Sequence, residues 1–184
     1  QRQMCIRDSG YGVRYTAEDE AINIPARLEE LAAHLKEETE RLGLPMPRFL
    51  MEPGRSIVAD AGMTLYTVGS VKRIPGYKQY AAVDGGMTDN PRYALYQSRY
   101  TVYHAHKSGS LERFDVVGRC CESGDIIQPG VELPGDTCRG DLLAVCTTGA
   151  YNYSMASNYN RLPRPAVVML TPDRIYEAVR RETF

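Results

Sequence analysis

Phe49-Leu50-Met51-Glu52-Pro53-Gly54-Arg55 is the stretch on which the reading of this 184-residue chain turns. Residues 48–52 are short and apolar enough for a buried parallel strand, and the run stops at an acid, a Pro-Gly turn and an arginine. Upstream, Ile24, Leu28, Leu31, Ala32, Leu35 and Leu42 recur at helical spacing, with Asn23 as a cap, Pro25 in the first turn and Gly43 as a stop. The spacing predicts a helix near 24–43, and Pro45 and Pro47 mark the loop before the strand. A helix followed by a strand suits the last part of an α/β barrel.

Downstream of Ala59 the pattern changes. Residues 63–71, 79–83, 99–104 and 142–147 are alternating or apolar runs separated by Gly, Pro, Asn and Asp turns, which predicts a β-rich domain. Pro172-Asp173 is read as the start of a short charged helix to about Arg181. The expected division is a leader at 1–9, a barrel portion at 10–55 and a C-terminal β-rich domain at 56–184. Gln1 to Ser9 show no helix or strand period and run abruptly into different sequence, so they are read as non-native, similar to read-through of sequencing-adapter DNA.

With 43% hydrophobic residues, a chain of this length can bury one core but not a complete barrel plus a second domain, so a fragment is expected. Lys and Arg (22) are scattered among Asp and Glu (23) for a formal charge of −1, which argues against a nucleic-acid surface. No run approaches the roughly 18 to 20 apolar residues that span a bilayer, and a soluble, cytoplasmic protein is expected. Five cysteines, with Cys120 and Cys121 adjacent, do not form a disulfide framework pattern, and Cys5, Cys138 and Cys146 are read as thiols. No Cys-x-x-Cys pair is present and no metal is expected.

An acid, a Pro-Gly turn and an arginine after a strand place a carboxylate, backbone N–H groups and a guanidinium at one sheet edge, where a phosphorylated cofactor with a ring nitrogen could sit. The same four residues also make an ordinary exposed turn. Two further runs change the weighing: Cys121-Glu122-Ser123-Gly124-Asp125 and Gly149-Ala150-Tyr151.

Together with Tyr11-Gly12-Val13-Arg14-Tyr15, Val83-Asp84-Gly85-Gly86-Met87 and Asn90-Pro91-Arg92-Tyr93-Ala94-Leu95-Tyr96, these runs resemble, in order, the diaminopimelate decarboxylase family. Its members belong to the alanine-racemase-like group of pyridoxal-phosphate enzymes. The resemblance implies an α/β barrel remnant, its N-terminal half missing, plus a β-rich C-terminal domain. The implied reaction is decarboxylation of meso-2,6-diaminoheptanedioate to L-lysine and CO2, the last step of lysine biosynthesis, with pyridoxal 5′-phosphate as cofactor.

The resemblance also assigns roles. Glu52 faces the pyridine nitrogen, Gly54 lets backbone approach the phosphate, and Arg55 holds the phosphate or a substrate carboxylate. Arg92 and Tyr96, four apart, bind the substrate's distal carboxylate; Glu122 partners its distal ammonium. Cys121 returns a proton to the α-carbon, a task within reach of a thiol. Tyr151 caps the phosphate and touches substrate, whereas Tyr153 and Tyr159 are read as packing residues and Cys120 as a structural thiol. Of the glycines that precede the Tyr-Gly pair in the family, only Gly10 stands here, as a candidate cofactor contact.

In the family the Cys-Glu run serves the other subunit's site, so the resemblance implies a homodimer with shared sites. The Schiff-base lysine and the ring-stacking histidine fall outside the resembling stretch. Lys36, Lys72, Lys78 and Lys107 do not match the family's lysine motif, and the chain alone is expected to be inactive and to fold poorly. His104 and His106 are expected to share a strand face and to pack or meet water, and Arg139-Gly140-Asp141 to form a turn. The alternatives are a related decarboxylase for ornithine, arginine or carboxynorspermidine, and a non-catalytic dimerisation or binding module.

Overall fold

The computed structural model describes residues 10–184, so the expected leader at 1–9, with Cys5, lies outside the described residues. Helix α1 spans Ile24–Arg41. Asn23 caps it by accepting from the Ala26 N–H at 3.2 Å, Pro25 fills the first turn, and Gly43 takes the left-handed conformation (φ 63°) that glycine reaches at low cost beyond a helix end. No residue of α1 is buried, although Ile24, Leu31 and Leu35 of its apolar stripe are half-covered.

The expected strand at 48–52 does not form, and Phe49 and Leu50 are exposed. A parallel strand takes its hydrogen bonds from neighbours on either side. Among the described residues none runs beside this segment. The chain instead passes through an open loop into helix α2, Arg55–Val58.

The body of the molecule is a six-stranded sheet ordered β3-β6-β1-β2-β4-β5. Its strands are β1 Met63–Arg73, β2 Gln79–Val83, β3 Val102–His104, β4 Leu111–Val117, β5 Ile126–Pro134 and β6 Leu142–Cys146. Only the β2–β4 pair is parallel; the others are antiparallel. Alternation drives the pattern: Tyr66 and Val68 on β1 and Leu143 and Val145 on β6 point inward, while Met63 and Leu65 point out. The core gathers these with Ala81, Phe114, Val116, Ile127 and Leu133.

The two edge strands approach each other. The Tyr100 N–H, just before β3, donates to Gln128 Oε1 on β5 at 2.8 Å, so the sheet is a nearly closed barrel. This side-chain bond also explains why β3 begins at Val102, later than the predicted 99. Helix α3, Arg92–Tyr96, leads into that edge, and helix α4, Asn152–Met155, follows β6.

The chain ends differently from the sequence expectation. In place of a helix after Pro172, strands β7 Val167–Leu170 and β8 Ile175–Val179 form an antiparallel hairpin. Ile175, Tyr176 and Val179 prefer extended backbone, and Thr171 and Arg174 close the turn with reciprocal hydrogen bonds. Glu182 clasps Arg164 at 2.5 Å and ties the end back. Among the described residues no helix is long and apolar enough to cross a membrane.

Candidate functional site

Two glycines bring distant stretches of sequence together. The Gly149 N–H donates to the Ala59 carbonyl and the Thr148 N–H to the Gly62 carbonyl, both at 2.9 Å. A Cβ on Gly149 would lie 1.9 Å from the Val58 carbonyl oxygen, and one on Gly62 would lie 2.4 Å from Gly149 Cα. Only glycine permits this approach. As a result α2, which begins at Arg55, and the loop that bears Tyr151 ride on one joint. Tyr151 itself holds a left-handed backbone (φ 70°), a conformation that costs a bulky residue energy.

Helix α3 meets that loop. The Arg92 guanidinium carbon lies 4.7 Å from the Tyr151 ring centroid and 5.4 Å from that of Tyr96, so the cation sits against two aromatic faces. Arg92 is only 8% exposed, yet its Nε has no hydrogen-bond partner, its Nη2 reaches only Ser98 Oγ at 3.5 Å, and among the described residues no carboxylate pairs with it. A buried cation without an anion is costly, which favours an anionic partner at this position. Tyr100 and Asn152, both buried, stand beside it, with the Tyr100 hydroxyl 3.4 Å from Asn152 Oδ1. Burial pushes the Tyr100 phenol up, and the neighbouring Arg92 charge acts against that rise.

The Cys-Glu run occupies a separate loop. Asp125 anchors it by accepting from the Met87 and Cys120 N–H groups, both at 2.6 Å, and the Asp125 N–H returns to the Glu122 carbonyl. Cys121 and Glu122 are exposed. The Cys121 N–H donates to Asn160 Oδ1 at 2.6 Å, and the Tyr159 hydroxyl to Glu122 Oε2 at 3.3 Å. The Gly124 N–H, with Ser123 and Tyr159, holds the Glu122 carboxyl below its usual range, so it is a carboxylate at neutral pH. Burial and Asp125 push the Cys120 thiol up, which suits a structural residue.

The structure therefore joins Arg92, Tyr96 and Tyr151, ties α2 and its Arg55 to them through the backbone joint, and groups Cys121 and Glu122 with Tyr159 and Asn160. Glu52 and Gly54 are exposed, and a Cβ on Gly54 would meet nothing within 4 Å. Gly10 is exposed as well. Tyr159 is not a packing residue: it is exposed and bonded to Glu122. His104 and His106 do not share a strand face, because β3 ends at His104, whose Nδ1 accepts from the His106 and Lys107 N–H groups. That leaves His104 Nε2 to face Asp141 Oδ2 at 3.1 Å.

Asp141 ends the 139–141 turn, in which Gly140 is left-handed. Burial alone would raise the Asp141 carboxyl, but Lys107 at 2.7 Å, the Cys138 N–H and His104 outweigh it and hold the group well below the carboxylate range. Lys78 is likewise paired, with Asp115 at 2.6 Å. Four residues of these sites were given no role from the sequence: Tyr100, Asn152, Asp125 and Asn160. Asn152 directly follows Tyr151 and Asp125 closes the Cys-Glu run, so adjacency was the available signal; Tyr100 carried none.

The donor set fits a phosphorylated, carboxylate-bearing ligand. Arg55 Nε is buried without a partner, as is Arg92 Nε, and Glu52 is an exposed acid close to Arg55 in sequence.

Comparison with known proteins agrees. The family described as pyridoxal-dependent decarboxylase, C-terminal sheet domain, matches residues 14–149, and the chain belongs to that family. Diaminopimelate decarboxylase of Bacillus subtilis is 49% identical over 177 residues, which are 95% of this chain and 40% of that relative. Diaminopimelate decarboxylase from M. jannaschii in co-complex with L-lysine superposes with a TM-score of 0.84 at 30% identity, over 95% of this chain and 39% of that one. The Helicobacter pylori enzyme complexed with L-lysine gives 0.78 at 34% identity, over 94% and 40%. The chain spans about 40% of the length of the curated relatives it matches.

Proposed function

We propose that this chain is the sheet-domain portion of a cytoplasmic decarboxylase that converts meso-2,6-diaminoheptanedioate to L-lysine and CO2. The observation that carries the reading is Arg92, a buried guanidinium between Tyr96 and Tyr151 with an unpartnered Nε. A decarboxylase whose substrate ends in a simple amine has no use for such a group. A substrate with a second amino-acid end needs a cation for its distal carboxylate and an anion for its distal ammonium, here Arg92 with Tyr96, and Glu122. The likeness to two proteins solved with L-lysine, which retains that amino-acid end, supports the same assignment.

Pyridoxal phosphate, when bound, supplies an electron sink for the charge left as CO2 departs. This chain's residues hold it and the substrate. With the cofactor bound, Glu52 would face the ring nitrogen and keep it protonated, Gly54 and Arg55 would serve the phosphate, with Arg55 also serving the substrate carboxylate, and Tyr151 would cap the phosphate and touch substrate. The Cys121 S–H then gives its proton to the α-carbon, and solvent restores it. In a homodimer, Cys121 and Glu122 would complete the site of the second copy.

Replacing Arg92 by Ala in the full-length holoenzyme is expected to lower kcat/KM for meso-diaminopimelate by about 30- to 1000-fold, the effect of losing one side of a desolvated charge pair. Unchanged kcat/KM would remove Arg92 from the substrate site.

A further inference from the structure

The Cys-Glu turn is held from outside its own run, by a stretch beyond the family match, which ends at residue 149. We infer that Tyr159 and Asn160 are positioning residues, Asn160 for the Cys121 thiol and Tyr159 for the Glu122 carboxylate; this rests on the roles of Cys121 and Glu122 given above. Two adjacent residues hold two adjacent residues: the Cys121 N–H donates to Asn160 Oδ1 at 2.6 Å, and the Tyr159 hydroxyl donates to Glu122 Oε2 at 3.3 Å. Glu122 Oε1 faces Ser123 Oγ at 3.3 Å and the Gly124 N–H at 3.4 Å, so among the described residues Tyr159 is the partner of the second oxygen. Three consecutive N–H groups of the turn each find an acceptor. Cys120 donates to Asp125 Oδ2 at 2.6 Å and Glu122 to the Cys120 carbonyl at 2.8 Å, whereas Cys121, between them, reaches a side chain 39 residues on. With that peptide plane held, the thiol keeps one torsion, about Cα–Cβ, with which to aim its S–H.

Backbone strain marks the same place. Asn160 and Arg161 both hold left-handed backbone, at φ 54° and 57°, a conformation that costs L residues energy, asparagine less than most. Hydrogen bonds close the turn around them: the Arg161 N–H donates to the Asn158 carbonyl at 2.7 Å, and Asn158 Nδ2 donates to the Leu162 carbonyl at 3.1 Å and to Glu182 Oε2 at 2.7 Å. The Ser157 N–H donates to the Thr88 carbonyl at 2.8 Å and roots the segment on the loop that precedes α3. Cys121, Glu122, Tyr159 and Asn160 are all exposed, so the bonds between them add little to folding stability. A strained turn whose side chains serve an exposed thiol and carboxylate, and no core, is accounted for by the chemistry of those two groups.

The test uses the full-length holoenzyme and reads kcat and KM for meso-diaminopimelate separately. Asn160→Gly suits the left-handed turn but removes the acceptor; Asn160→Asp keeps both. The first is expected to lower kcat by about 10-fold with KM within about 2-fold, and to enlarge the solvent deuterium isotope effect on kcat as proton transfer slows. The second should stay within about 3-fold of the wild type. Tyr159→Phe is expected to raise KM by about 5-fold with little change in kcat. Melting temperatures of all three should stay within about 2 °C of the wild type. Wild-type kcat in Asn160→Gly, equal losses in Asn160→Gly and Asn160→Asp, an unchanged KM in Tyr159→Phe, or activity that falls only with melting temperature would overturn the positioning role. Wild-type rates in these variants, combined with large losses in Cys121→Ala and Glu122→Gln, would sink it while leaving the roles of Cys121 and Glu122 intact. Full activity in Cys121→Ala and Glu122→Gln would remove those roles and the positioning with them.

Discussion

The sheet from β1 to β6 and the segment from α1 to α2 are built from similarly apolar sequence and reach opposite outcomes. In the sheet, alternation sends Tyr66, Phe114, Leu143 and Val145 into a shared core where all are almost fully buried. In the leading segment α1 forms with its cap in place, yet it buries no residue, and Phe49, Leu50, Ile57 and Val58 stay exposed. Local sequence signals suffice for a helix. A parallel strand needs neighbours, and an apolar stripe needs a surface, which is why one region closes on itself and the other does not.

That contrast can be broken by substitution. Phe114→Ala, at a fully buried position on β4, is expected to cost about 3 to 5 kcal/mol in denaturant unfolding, because it leaves a cavity in the sheet's core. Gly149→Ala forces a methyl group against the Val58 carbonyl and is expected to cost about 1 to 3 kcal/mol. Because it shifts α2 against the Tyr151 loop, it should also weaken L-lysine inhibition of the full-length enzyme; normal stability and inhibition would refute the joint. Leu28→Ala, in the exposed stripe of α1, should stay within about 0.5 kcal/mol in this chain, and a core-sized loss there would erase the distinction between the regions.

The smallest effect concerns the C-terminal hairpin. Hydrogen bonds from the Arg164 side chain and N–H and from Asn158 lower the Glu182 carboxyl from an ordinary 4.5 to about 2. A depressed carboxyl stabilises the folded form above its unfolded pKa and loses that contribution as pH falls through the folded value. Amide protection in β7 and β8 should therefore decline between about pH 4.5 and 2, and Glu182→Gln should flatten that decline. A pH profile identical in the variant would show that the clasp is not ionic.

Much of this was legible beforehand, for reasons that differ by element. Asn23, Pro25 and Gly43 marked α1 to within two residues, and clean apolar runs marked β1, β2 and β6. β4 and β5 were obscured by Glu112, Arg113 and Asp115 in one and by Pro129 and Gly130 in the other, whose places are set by Lys78 and by the Asp115–Gly130 hydrogen bond. The terminal hairpin was misread because its charges suggested a helix while its β-branched and aromatic residues favoured a strand. At the site, Arg92 and Tyr96 were marked by the family resemblance of the 90–96 run, but their meeting with Tyr151 depends on the glycine joint, which no local pattern announces. Tyr100 was hidden for the same reason.

The most direct test of the account is CO2 and lysine release by the full-length protein, purified with pyridoxal phosphate, from meso-diaminopimelate, ornithine and arginine side by side. The account predicts release from meso-diaminopimelate alone. Turnover of ornithine or arginine with none of meso-diaminopimelate would contradict it, since a buried Arg92 fork would then have no carboxylate to hold.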